Sequence, residues 1–198
     1  MERSEILAWR KVRRAELIAS RLAIPAPAHK AASDAIAASL RAFLAGRGEH
    51  LIGAYWPFRR EFNVIPVLEA LIADGREAAL PVVLGKGMPL EFRPWRKETK
   101  LATGVYDIPY PAEGPAVRPE ALIVPLVGFD EGGYRLGYGG GFYDRTLANY
   151  TRKPLSIGVG FELGRHATIQ PLPHDIPMDW IVTEAGLFKR DASGLARA

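Results

Sequence analysis

One stretch constrains this chain more than any other: Ala121-Leu122-Ile123-Val124-Pro125-Leu126-Val127-Gly128-Phe129. It is apolar throughout and lacks the polar–apolar alternation of a strand with one wet face. A strand written this way is buried on both sides, which is the habit of parallel sheets sandwiched between helices. Shorter runs of the same kind at 51–56, 77–84, 90–95, 155–161 and 180–183 read as further strands. They alternate with helical segments, and that alternation predicts an α/β fold, a mainly parallel sheet with helices on both faces.

The first helix is expected over residues 4–22, which hold neither Gly nor Pro. At about 100° per residue, Leu7, Ala8, Val12, Ala15, Ile18, Ala19 and Leu22 gather on one arc, the expected buried face, with Arg3, Arg10, Arg14 and Arg21 beside it. Pro25 and Pro27 are expected to end this helix. A second starts near Ser33, with Ile36, Leu40, Phe43 and Leu44 as its buried stripe, and Gly46 and Gly48 stop it. Asn63 is placed to cap a helix over 64–74, and a short helix is expected over 142–150. The Pro- and Gly-rich segment 104–118 reads as a connecting excursion over the surface. With 198 residues and no linker or repeat, the expectation is a single domain over 1–190 and a frayed tail over 191–198.

Composition removes several classes of function. There is no cysteine, so disulfide frameworks and thiolate zinc sites are excluded, and the four histidines lack the His-Glu-x-x-His spacing of a zinc protease. The first residues are polar, and no window approaches the roughly 18 apolar residues that span a bilayer. The expectation is a cytoplasmic protein, a monomer with no membrane partner. A formal charge of +4, from 26 basic and 22 acidic residues, suits anionic small molecules. A nucleic-acid-binding module using the arginine stripe and exposed aromatics is an alternative, but charge this nearly balanced argues against it, and no nucleic-acid partner is expected.

The chemistry is written in Arg135-Leu136-Gly137-Tyr138-Gly139-Gly140-Gly141-Phe142-Tyr143-Asp144-Arg145. A glycine-rich turn that enters a helix beyond a strand offers backbone N–H groups to phosphate. It is not a Rossmann fingerprint, which would need glycine at Phe142, nor a P-loop, since no Gly-Lys-Ser/Thr follows. Arg135 and Arg145 flank the glycines with fixed charge suited to phosphate oxygens. Asp144 would repel a bound polyphosphate unless a divalent cation lay between them, so it is a candidate Mg2+ contact. The rival reading is a tight turn with Asp144 favouring the helix dipole.

Gly128-Phe129-Asp130 followed by Gly133-x-Arg135-Leu136-Gly137-x-Gly139-x-Gly141-Phe142-Tyr143-Asp144-Arg145 resembles the signature of the 5-formyltetrahydrofolate cyclo-ligases, also called 5,10-methenyltetrahydrofolate synthetases. The resemblance continues through Pro173-His174-Asp175-Ile176-Pro177 to Val182-Thr183-Glu184, and upstream through Arg10-x-x-x-Arg14 and 56–61. It implies an enzyme that uses ATP and Mg2+ to convert 5-formyltetrahydrofolate to 5,10-methenyltetrahydrofolate. By the same resemblance the nucleotide-binding positions fall on Arg10, Arg14, Arg135, Leu136, Gly137, Tyr138, Gly139, Gly140, Gly141, Phe142 and Tyr143. Folate contacts fall on Trp56, Glu61 and the Tyr138–Phe142 stretch, the Mg2+ ligands on Asp144 and Asp175, and the candidate catalytic side chains are Arg145 and Tyr143. Many members carry Lys at the place of Arg10, and many an acidic residue at the place of Asn63.

Each of these positions has a plainer reading. Arg10 and Arg14 form an i, i+4 pair that suits a solvated stripe; Trp56 suits a core; Glu61, after Arg59-Arg60, suits a surface ion pair. Asp175 and His174 suit a turn. A phosphate-binding α/β enzyme of the sugar-phosphate isomerase or CoA transferase kind is the alternative enzyme reading, and it would consume no ATP.

Overall fold

The computed structural model describes residues 2–198, and the side chains of all of these except Tyr106. The chain runs α1 (Arg3–Ala23), α2 (Ala26–Ala45), β1 (Leu51–Gly53), α3 (Ile65–Ala73), β2 (Glu77–Val83), β3 (Leu90–Trp95), β4 (Leu101–Thr103), β5 (Pro109–Pro111), β6 (Ala121–Pro125), β7 (Gly128–Asp130), β8 (Arg135–Leu136), α4 (Phe142–Ala148), β9 (Leu155–Val159), β10 (Arg165–His166), β11 (Trp180–Thr183), β12 (Gly186–Asp191) and β13 (Gly194–Arg197). Eight strands form one sheet in the order β13-β12-β11-β9-β6-β1-β2-β3. The five from β11 to β2 are parallel, and antiparallel pairings add β3 at one edge and the β12–β13 hairpin at the other.

β6 lies in the middle of this sheet and explains its own composition. Ala121, Leu122, Ile123 and Val124 have no exposed surface at all. Ala121 and Ile123 pack into the core under α2 and α3, with Ile36, Leu40, Leu44 and Leu68. Leu122 and Val124 face the opposite way, toward Leu147 of α4, Met178 and Ile181. Helices therefore cover both faces, and each large apolar side chain so buried contributes roughly 1.5–3 kcal/mol.

The apolar run does not continue as one strand to Phe129. Its hydrogen-bond partner changes in mid-run: Leu126 N–H donates to Val159 O in the main sheet, whereas Val127 N–H donates to Leu136 O. From there the chain peels away, and β7 pairs with β8 and β10 in a separate three-stranded sheet. The glycine turn thus leaves the small sheet, above the main one.

Three further expectations are corrected. Pro27 does not separate the first two helices; it sits in the first turn of α2, where its missing N–H costs nothing. The segment 104–118 carries β5, which pairs back onto β4, and an isolated bridge from Val117 to Phe92, and so forms a wall of the molecule. The last residues do not fray: β13 pairs along β12 and Leu195 N–H donates to Glu131 O at 2.8 Å. No described helix is long and apolar enough to cross a membrane.

The most consequential correction concerns α1. The face expected to be buried is largely open, with Leu7, Val12 and Leu22 all among the exposed large apolar side chains. Its inward residues are Arg10, Leu17 and Arg21, and Arg14 follows the same i, i+4, i+7, i+11 line. Arginine stems are aliphatic and their heads find carbonyls here, so the polar face packs and the apolar one does not.

Candidate active site

A cleft of about 670 Å³ opens at the carboxyl ends of β1, β2 and β6, where Tyr55, Trp56, Pro81, Val83 and Pro125 form part of its lining. Ligands of open α/β sheets bind at such ends. The glycine turn forms the opposite wall, and α1 lays its arginines along a third. Gly139 (φ 94°) and Gly141 (φ 64°) hold left-handed conformations that L side chains rarely adopt. A Cβ on Gly139 would also lie 3.3 Å from the guanidinium carbon of Arg14, so Arg14 lies directly against the turn. Its Nε donates to Gly137 O at 2.5 Å. Burial, and then the charge of Arg10, lower the pKa of Arg14.

Arg10 is anchored from the far side of the cleft. Its Nε and Nη2 donate to the carbonyls of Ile169 (3.1 Å) and Gln170 (2.9 Å), and it is paired with Asp175. Asp144 is paired with Arg135 at 2.9 Å and accepts from Ile176 N–H at 3.0 Å, while Arg135 also donates to Ile176 O at 2.8 Å. Because Asp175 and Ile176 adjoin, these bonds place both aspartates in the lining of the same cleft as the glycine turn. Among the described residues there is no cluster of three or more potential metal ligands. Mg2+ commonly takes only one or two protein carboxylates and fills its remaining positions with phosphate oxygens and water, so the donor set fits that ion in the company of a nucleotide.

The other end of the cleft is aromatic around one carboxylate. Trp56, Phe58, Tyr138 and Tyr143 line it, with Glu61. Glu61 is 6% exposed. Its Oε2 accepts from Phe58 N–H at 2.9 Å, while Oε1 is buried without a partner among the described residues. Burial pushes its pKa up to about 7, against the opposing pull of the Arg21 charge, the Phe58 N–H and the nearby Tyr138 hydroxyl. The Tyr143 hydroxyl is likewise buried and partnerless. The backbone carrying Glu61 turns through two left-handed residues, Arg59 (φ 46°) and Arg60 (φ 56°). Bonds from Arg21 Nε to Arg59 O (3.0 Å) and from Glu61 N–H to Phe58 O (3.1 Å) hold it. Strain of this kind persists where the surroundings over-determine it, characteristically at ligand sites.

The sequence model of the 5-formyltetrahydrofolate cyclo-ligase family matches residues 6–184. The chain belongs to this family. It is 31% identical over 183 residues to the 5-formyltetrahydrofolate cyclo-ligase of Mycolicibacterium smegmatis, covering 86% of this chain and 91% of that one. To the Escherichia coli enzyme of the same name it is 30% identical over 149 residues, 71% of this chain and 81% of the other. Among solved structures, the 5,10-methenyltetrahydrofolate synthetase of Aquifex aeolicus superposes with a TM-score of 0.79 at 26% identity, covering 96% of each chain.

In this cyclo-ligase family member the cleft gathers Arg10, Arg14, Trp56, Glu61, every residue from Arg135 to Asp144, and Asp175. Arg145 is not brought into the lining. Its guanidinium donates to Met88 O (3.3 Å) and Gly140 O and lies 5.2 Å from the Phe142 ring centroid, bracing the turn from behind. The plainer readings fail for Glu61, which is buried rather than surface-paired, and for Arg10 and Arg14, which face inward. Sequence reasoning missed Tyr55, Phe58, Ile108 and Tyr110 as lining residues, and it missed Arg21. A signal for Arg21 existed in its helical spacing from Arg10 and Arg14. α4 spans only Phe142–Ala148, so positive potential at this part of the cleft comes from the arginines and the turn's N–H groups more than from a helix dipole.

Proposed function

We propose that this chain closes 5-formyltetrahydrofolate to 5,10-methenyltetrahydrofolate with ATP, releasing ADP and phosphate. The observation that carries the reading is the meeting, in one cleft, of an arginine-backed glycine turn with a buried carboxylate whose second oxygen is unpaired. Arg10, Arg14 and the N–H groups of residues 137–142 hold the triphosphate. Glu61 accepts from the amino and ring N–H groups of the pterin, whose paired donors match a bidentate carboxylate, and Trp56 and Phe58 pack on the ring system.

The formyl oxygen on N5 is an amide oxygen and a poor leaving group. Transfer of the γ-phosphoryl group onto it, with ADP departing, makes an iminium phosphate. N10 then attacks the carbon, the C–O bond breaks, phosphate leaves with the former formyl oxygen, and N10 gives up its proton to solvent or the departing phosphate. Phosphoryl transfer is accelerated mainly by positioning and charge neutralisation, which the arginines and turn amides supply. Mg2+, held by Asp144 and Asp175, would neutralise phosphate charge as the group migrates. Arg145 keeps the turn in shape, and Tyr143 presents its hydroxyl at the folate end. We read the protein further as a cytoplasmic monomer, a single domain acting on small molecules.

The test is direct. Purified protein given ATP, Mg2+ and 5-formyltetrahydrofolate is expected to develop the near-ultraviolet absorbance of the methenyl product, with one ADP formed per turnover. No absorbance change at high enzyme concentration overturns the proposal.

A further inference from the structure

Arg21 is 3% exposed, one of the most deeply buried charged groups in the protein. It sits where three separate parts of the site converge. Its Nε donates to Arg59 O (3.0 Å) in the turn that carries Glu61, its Nη1 to Leu126 O (3.4 Å) where the central strand breaks off, and its Nη2 to the Tyr138 hydroxyl (2.6 Å) in the glycine turn. All three acceptors are neutral. A guanidinium this deep normally faces a carboxylate, and the buried carboxylate nearest in the chain's own wiring is Glu61, two residues beyond the carbonyl that Arg21 holds.

We infer that Arg21 is a positioning residue for the folate end of the site: it ties the glycine turn to the 58–61 loop and supplies the positive charge that lets Glu61 act as a carboxylate toward the substrate. The inference rests on the folate reading of Glu61. The groups facing Glu61 are few. Tyr138 comes from the glycine turn, Tyr143 from α4 and Tyr55 from the end of β1, and burial raises all three phenols above their ordinary 10, so they are neutral at working pH. Arg59 turns its own guanidinium over the Phe58 ring, 5.0 Å from the centroid. That leaves Arg21 as the charge from a neighbouring element that opposes the burial of Glu61. A phenol held by an arginine on one side, with its ring 5.9 Å from that of Phe58 on the other, also couples the nucleotide and folate walls mechanically.

The experiment follows the Glu61 carboxyl carbon by NMR in carbon-13-labelled free protein, assigned by its loss in Glu61→Gln. The wild-type midpoint is expected near pH 7. Arg21→Met is expected to move it up by about one unit or more, as removal of a nearby opposite charge does, whereas Arg21→Lys leaves it close to the wild-type position. In turnover, the acid limb of kcat/KM for 5-formyltetrahydrofolate moves with the midpoint while KM for ATP stays put. A purely structural role would lower activity at every pH without moving the limb. An Arg21→Met midpoint at the wild-type pH, or a wild-type midpoint near 4.5, overturns the inference. Should Arg21→Met fail to fold, Arg21→Met/Glu61→Gln is expected to fold again above pH 7, and absence of that rescue overturns it equally. A moved midpoint without methenyl product refutes the cyclisation instead and leaves the charge pairing intact.

Discussion

Replacing Glu61 by Gln should make the free protein more stable at neutral pH while removing its grip on folate. The carboxyl has an ordinary value of 4.5 and sits at about 7 in the folded chain. A carboxyl whose folded pKa is the higher one favours folding while it is protonated in both states. It loses that advantage as pH climbs from 4.5 to 7, because the unfolded chain ionises and the folded one resists. At 1.36 kcal/mol per unit, a rise of that size corresponds to about 3 kcal/mol of stability lost across that window. Gln cannot ionise and escapes the loss. Its amide oxygen can keep the bond from Phe58 N–H, and its NH2 group lies where Oε1 already lacks a partner, so whatever the amide costs is the same at every pH. The measurement is urea unfolding of both proteins from pH 4 to pH 8. The variant-minus-wild-type difference should rise by about 3 kcal/mol over that range. 5-Formyltetrahydrofolate should stabilise the wild type at pH 8 and leave the variant almost unaffected. A difference that stays level with pH would refute the reasoning, since it would mean that Glu61 ionises as freely folded as unfolded.

The remaining expectations concern the other half of the cleft and the chain end. Arg14→Ala should raise KM for ATP by about 10- to 100-fold, the worth of a hydrogen-bonded charge, with a far smaller change in KM for the folate; an unchanged KM for ATP removes Arg14 from the phosphate site. Asp144→Asn should lower kcat by about 100-fold or more and also cost roughly 1–3 kcal/mol of stability, because Asp144 is the ion-pair partner of the buried Arg135; full activity at limiting Mg2+ would dismiss its metal role. Gly194→Ala forces a side chain to 2.6 Å from Glu131 O at a backbone φ of 125°, so it should cost about 2 kcal/mol and ~4–8 °C in Tm. An unchanged Tm would mean that the terminal hairpin contributes nothing.

How much of this the sequence disclosed depended on the range of the interaction. The buried central strand, the glycine turn and the carboxylate within it are local patterns, and each was legible. The end of that strand was not, because Leu126 and Val127 are apolar whichever sheet they join; only the hydrogen-bond partners, Val159 and Leu136, tell them apart. α1 was misread for a related reason. Its apolar arc is genuine as a pattern, but burial was decided by carbonyls from residues 59, 126, 137 and 169, which sequence periodicity does not contain. Glu61, following Arg59 and Arg60, has the local pattern of a surface residue, because its burial depends on Arg21 and Tyr138, which come from far before and far after it in the chain.

The two halves of the cleft are built on opposite terms, and that explains why neighbouring carboxylates respond in opposite directions. On the proposed nucleotide side, Asp144 and Asp175 each hold an arginine, and both arginines are further tied to backbone carbonyls. That half is electrostatically satisfied without a ligand, so removing either acid exposes a buried cation and weakens the fold. On the proposed folate side, Glu61 Oε1 and the Tyr143 hydroxyl are buried without partners among the described residues, and the backbone beside Glu61 passes through two left-handed residues, Arg59 and Arg60. Unpaired buried polar atoms cost free energy that a ligand carrying matching groups returns on binding. The half around Glu61 is therefore the strained, ligand-demanding half. A substitution there that relieves the burial of charge should stabilise the protein and disable it together, whereas the same loss of charge at Asp144 should do harm on both counts.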